Sequence, residues 1–117
     1  ILFNHLFGGG MASRLFQNIR EEKGLCYSIN SFSSSYEDTG IFSISCGTSK
    51  EKFLYCVDSI MEEIRKMKKN GITQTELKDA KSSQKGSLAI SYELPENKMV
   101  DIALQEIYFD RFYTVPE

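Results

Sequence analysis

The chain is short of histidine above all. With one histidine, His5, in 117 residues, neither His-Glu-x-x-His nor His-x-x-Glu-His can be written. A zinc site ordinarily recruits several His, Cys or carboxylate ligands at set spacings. His5 is read as a packed or partly exposed helix residue, and no metal ligand is assigned in this chain. Three cysteines, Cys26, Cys46 and Cys56, form no CxxC pair. Their odd count and apolar or strand-like surroundings predict buried free thiols in a reducing compartment. A cysteine nucleophile paired with His5 has no local signature. No apolar run approaches the ~20 residues that span a bilayer. A net charge of −2 argues against the clustered basic face that nucleic-acid binding demands, and Arg65, Lys66, Lys68 and Lys69 read as a solvated helix end. The chain opens on Ile-Leu-Phe, without a basic n-region, and closes on Tyr-Thr-Val-Pro-Glu. Both ends read as cut, which predicts a segment of a longer protein with any targeting signal outside it.

What is present suits one domain with a modest core. Residues 1–7 are apolar and helix-compatible. After three glycines, Met11, Leu15, Phe16 and Ile19 recur at helical spacing over residues 11–22. Lys23-Gly24 supplies a stop, because glycine enters the left-handed C′ conformation at little cost. Two strand-like runs, 26–34 and 40–48, flank the turn-rich segment 36–40 and predict a β-hairpin. In the second run Phe42, Ile44 and Cys46 alternate with Ser43 and Ser45, which suits one buried face.

Capping boxes are expected at Thr48–Glu51 and Thr73–Glu76. Beyond the first, Phe53, Val57, Ile60, Ile64 and Met67 draw an apolar stripe ended by Asn70-Gly71. Beyond the second, Leu77, Ala80, Gln84, Leu88 and Ser91 make a more polar one. Pro95 fits the first turn of a last helix that carries Met99, Val100, Ala103, Leu104 and Ile107. The fold class is therefore α+β, an antiparallel sheet with helices on one face, and residues 1–117 form a single partial domain. Two strands are few for three helices, and an uncovered edge invites pairing, so self-association through the sheet edge is expected.

Three features bear on chemistry. Gly8-Gly9-Gly10 before a helix could cradle an anion, but it matches neither GxGxxG nor GxxxxGK[ST] and contains no basic residue, so backbone flexibility or close packing is the better reading. Arg20, near a helix end, offers a planar fork of donors for carbonyls and carboxylates. Tyr27, at the start of a strand, can donate to an oxygen gathering negative charge. By residue type alone, the plainer readings are a surface salt bridge for Arg20 and a packed aromatic for Tyr27, which shares strand parity with Ile29.

The stretch GGGMASRLFQNIREEKGLCYSI, residues 8–29, followed by DTGIFSISCGTS, residues 38–49, resembles the second, non-zinc half-domain of the M16 peptidases. This is the insulinase, pitrilysin and mitochondrial processing peptidase superfamily. Ala12, Glu22-Lys23 and Ile29 depart from the usual residues without touching the chemistry. The resemblance implies a clamshell of related α+β halves, with zinc held by His-x-x-Glu-His in the missing N-terminal half and no cofactor in this segment. It also implies that Arg20 and Tyr27, seven positions apart, reach a peptide bound near that metal. Tyr27 would hydrogen-bond the scissile carbonyl and Arg20 would hold substrate backbone. The expected partners are a peptide substrate and the zinc-bearing half, in the same chain or another, with no nucleic acid and no membrane. The segment alone is expected to be inactive, and its parent to be a zinc metalloendopeptidase or, as an alternative, an inactive scaffolding subunit. A bacterial cytoplasmic setting is preferred, with a mitochondrial one left open.

Overall fold

The computed structural model describes residues 2–113; Ile1, part of the first expected helix, and the closing Thr-Val-Pro-Glu lie outside the described residues. In chain order come helix α1 (Leu2–Phe7), a π-helix (Phe16–Glu22), strands β1 (Ser28–Ser35) and β2 (Gly40–Gly47), a 3₁₀ turn (Lys50–Lys52), and helices α2 (Phe53–Asn70), α3 (Gln74–Ser91) and α4 (Pro95–Phe109). The chain forms two compact units, one to Lys81 and one from Ser82. The architecture is α+β, as the hydrophobic patterning predicts.

In the first unit β1 and β2 form an antiparallel hairpin with Ile29 opposite Cys46 and Ser31 opposite Ile44. The turn closes through the Tyr36 N–H to the Thr39 carbonyl at 2.8 Å. Because side chains alternate faces, Ile29, Ser31, Ile44 and Cys46 share one face. That face meets the core of Phe7, Leu15, Ile19, Ile29 and Cys56, around which Phe16, Leu25, Cys26, Ile44, Cys46, Ile60 and Met67 pack. The opposite face leaves Phe32 and Ile41 exposed. The alternation in β2 was legible; the serine-rich β1 contributes Ile29 and a buried Ser31, whose hydroxyl donates to Asn4 Oδ1 at 2.7 Å.

Three details depart from the sequence reading. Met11, placed on the first apolar stripe, is 74% exposed. Ser13 turns the chain there, its N–H and hydroxyl both donating to the Gly10 carbonyl, so the helix begins beyond Met11. Thr48 is not a cap: its hydroxyl donates to the Leu25 carbonyl at 2.5 Å, and Ser49 takes the N-cap position of the 3₁₀ turn. On α2 the buried residues are Cys56, Ser59 and Glu63, while Phe53, Val57 and Ile64 of the apolar stripe are exposed. Polar side chains of the π-helix and of its C-cap, Lys23, meet that buried face. Asn18 Nδ2 donates to Glu63 Oε2 at 2.9 Å, and Lys23 Nζ reaches Ser59 Oγ at 3.3 Å. Glu63, 2% exposed, also pairs with Lys66 Nζ at 3.1 Å, as a buried carboxylate requires.

The Thr73–Glu76 box forms as expected: the Glu76 N–H donates to Thr73 Oγ1 at 3.2 Å and the Thr73 N–H to Glu76 Oε2 at 2.7 Å. In the second unit Pro95 opens α4. Asp101 accepts hydrogen bonds from the Tyr92 hydroxyl and Gln105 Nε2. Met99, Val100, Leu104 and Ile107 of α4 are exposed.

Candidate functional site

The corner between the π-helix and β1 carries both candidate side chains. It begins at the glycine run, where Gly8 packs so closely on β1 that an added Cβ would lie 2.5 Å from Ser31 Oγ. The Ser31 N–H donates to the Gly8 carbonyl at 2.9 Å. Close packing, rather than an anion cradle, is what this glycine serves.

At the far end of the helix Gly24 takes φ 59°, the left-handed conformation glycine adopts most readily. The Gly24 N–H donates to the Arg20 carbonyl at 3.2 Å and the Leu25 N–H to the Ile19 carbonyl at 3.0 Å. Side chains from beyond the hairpin complete the corner: Lys52 Nζ donates to the Gly24 carbonyl at 2.9 Å and Thr48 Oγ1 to that of Leu25. The Tyr27 N–H then donates to the Gly47 carbonyl at 2.7 Å. Backbone position is thus fixed on both sides of Cys26, which pre-organises whatever side chains it carries.

Arg20 sits on the last turn of the π-helix with its guanidinium carbon 4.5 Å from the centroid of the Phe16 ring. It pairs with Glu21 Oε1 at 3.4 Å and stays 38% exposed. Tyr27 is 75% exposed and lies just before the first residue of β1. Its parity with Ile29 therefore does not bury it, and the packed-aromatic reading falls. Its hydroxyl makes no hydrogen bond among the described residues. Arg20 is held by ring stacking and a surface ion pair, a loose arrangement that leaves donors available.

Sequence reasoning missed two features of this unit. Arg14 binds Glu76 bidentately, Nε to Oε1 at 2.7 Å and a terminal nitrogen to Oε2 at 2.8 Å, and also donates to the Gly71 carbonyl at 3.0 Å. The Arg14 guanidinium, with the capping bonds of Thr73, lowers the Glu76 carboxyl from 4.5 to about 2. The capping box was visible, but its long-range partner was not. Secondly, Cys26, Cys46 and Cys56, ten to thirty positions apart in sequence, bring their sulfurs within 4.8 Å of one another. Nothing in their spacing signals that. His5 belongs to no group of three or more converging metal-ligand side chains among the described residues. The residues present therefore do not fit a zinc centre of the His-x-x-Glu-His type. No helix of the described residues is long and apolar enough to cross a membrane.

Comparison with known proteins agrees with this picture. The family model described as "Peptidase M16 inactive domain" matches residues 1–84. The chain is 40% identical over 117 residues to an uncharacterized zinc protease of Bacillus subtilis, YmxG, covering all of this chain and 29% of that protein. A zinc protease of Rickettsia felis, also uncharacterized, is 36% identical over 112 residues, 96% of this chain and 27% of its own length. The chain thus spans under a third of the curated relatives it matches. Among solved structures, a peptidase M16 inactive domain from Pseudomonas fluorescens superposes with a TM-score of 0.70 at 34% identity, over 75% of this chain and 22% of that one. A conserved protein from Enterococcus faecalis shares the fold alone, at a TM-score of 0.79 and 23% identity over 97% of this chain and 26% of that one. With an α+β core, a glycine-packed helix entry and a matching family model over residues 1–84, the chain belongs to the peptidase M16 inactive domains.

Proposed function

We propose that this chain is the substrate-facing, non-catalytic half of an M16-like zinc metalloendopeptidase, whose zinc lies in the other half of the protein or in a partner subunit. The observation that carries the reading is Tyr27: an exposed phenol without a hydrogen-bond partner among the described residues, on a backbone pinned by Gly24, Lys52, Thr48 and Gly47. An amide carbonyl gathers negative charge as it is attacked. A donor already oriented toward that oxygen stabilises the transition state more than the ground state. Tyr27 takes this role, and Arg20, whose fork suits peptide carbonyls, holds the substrate backbone alongside. No step of bond cleavage belongs to this chain's own residues. The peptide is bound between halves, and the segment alone hydrolyses nothing.

The test is Tyr27→Phe in the whole protein, with peptide hydrolysis measured beside thermal unfolding. Loss of one such donor lowers kcat about 10²–10³-fold, and the exposed position predicts an unchanged Tm. Arg20→Ala should mainly raise KM. Near-normal turnover of Tyr27→Phe would remove the assigned role. Absence of peptide hydrolysis in a properly folded, zinc-loaded parent would favour the scaffolding subunit instead.

A further inference from the structure

The three thiols lie on three separately held segments: Cys26 in the pinned corner, Cys46 on β2 opposite Ile29, and Cys56 on α2. The sulfurs of Cys46 and Cys56 are 3.1 Å apart, and all three lie within 4.8 Å of one another. Cys56 is 1% exposed, while Cys26 and Cys46 are half-buried. We propose that Cys26, Cys46 and Cys56 form an all-sulfur site for a soft, three-coordinate metal ion, with cuprous copper as the ion its chemistry fits best.

Geometry comes first. A metal about 2.3 Å from each of three sulfurs in one plane keeps those sulfurs about 4 Å apart, inside the 4.8 Å within which all three lie. The Cys46 and Cys56 sulfurs, 3.1 Å apart, have to open by about 1 Å to admit the ion.

The donor set selects the ion. Among the described residues no carboxylate or imidazole joins the group, and thiolates alone favour Cu(I), zinc or iron–sulfur clusters. Zinc takes a fourth ligand, whereas the core side chains gathered with these cysteines, Leu15, Ile19 and Ile29, are apolar. A monovalent ion content with three ligands suits that wall better than a hydrated divalent one.

Binding changes no oxidation state. Three sulfur–copper bonds form, three thiol protons leave to solvent, and the centre carries net negative charge. Burial pushes the Cys26 thiol up, and the Arg20 guanidinium is the least of the influences that work the other way. Burial holds the unmetallated thiols neutral, with Cys56 pushed up to about 11. Copper must therefore displace protons, and affinity should rise with pH. The same burial makes these thiols slow nucleophiles, so a metal site is a better use of them than peroxide sensing.

The experiment titrates the whole protein, reduced and under anaerobic conditions, with Cu(I) against a coloured cuprous chelator. One equivalent per chain should be withdrawn from the chelator, with thiolate-to-copper absorption appearing in the ultraviolet and affinity increasing with pH. Cys26→Ala, at the half-exposed corner position, should keep the wild-type Tm without metal and weaken copper binding at least tenfold. Cys46→Ala is the second variant should the first fail to fold. Three results would each overturn the site: no copper taken by the wild type, equal uptake by the variants, or zinc held by the three thiols against copper.

Discussion

Arg14 and Glu76 show how a single pair can tie distant parts of the first unit together. A bidentate guanidinium–carboxylate contact is among the stronger polar interactions, and here it also serves a helix cap. The carboxylate that satisfies the Thr73 N–H is the one gripped by Arg14. Since the folded state holds the Glu76 carboxyl at about 2 rather than 4.5, the pair's contribution is complete above about pH 4.5. It is lost as pH falls toward 2. Because both side chains keep some solvent contact, screening reduces its worth to about 1 kcal/mol. Glu76→Gln should lower stability at pH 7 by about that amount and flatten the acid limb between pH 4.5 and 2, as measured by denaturant unfolding across that range. An unchanged acid limb would mean that the pair is not formed in solution.

At the scale of elements, the helix-to-strand corner depends on backbone conformation more than on side-chain contact. A Cβ at Gly24 would meet nothing within 4 Å, so Gly24→Ala isolates the cost of holding an L-residue at φ 59°, about 1–2 kcal/mol. Gly24→Asn should recover much of that loss, because asparagine tolerates the left-handed region. A Tm that falls equally for both variants would point to something other than backbone strain. This corner was legible in the sequence because its determinants are local: a glycine after an amphipathic run, then alternation in β2. The π-winding was not: its Asn18 and the following Lys23 reach Glu63, Ser59 and Glu62 on α2, and such long-range partners cannot be read from spacing. The same limit hid the thiol cluster and displaced the buried face of α2 from its most apolar residues. Tyr27 was readable only halfway. Its residue type and position could be seen, but β1 starts at Ser28, two residues after the expected start of the run, and leaves Tyr27 ahead of the strand.

At the scale of the molecule, the first unit leaves much apolar surface uncovered. Phe3, Phe7 and Phe42 cluster with ring centroids 5.3–6.0 Å apart, and with Ile64, Met67 and Lys68 they line a cavity of about 270 Å³. Phe53 and Val57 on α2 are exposed nearby in sequence, and so are Phe32 and Ile41 on the outer sheet face. The sheet has two strands among the described residues, so each presents an open edge, which is a template for pairing. Apolar surface and open edges together predict that this 117-residue chain, prepared by itself, associates with its own copies. Light scattering across a concentration series should give a mass that climbs above the monomer. Ile41→Lys places a charge on the open strand, a substitution that blunts edge pairing, at an exposed site where it leaves the core intact. It should shift the series toward monomer while preserving the thermal transition. A mass that stays monomeric for the unsubstituted chain at every concentration would mean these surfaces are too wet or too mobile to pair. If the wild type associates and Ile41→Lys does so equally well, the contact runs through the phenylalanine cluster rather than the strand edge.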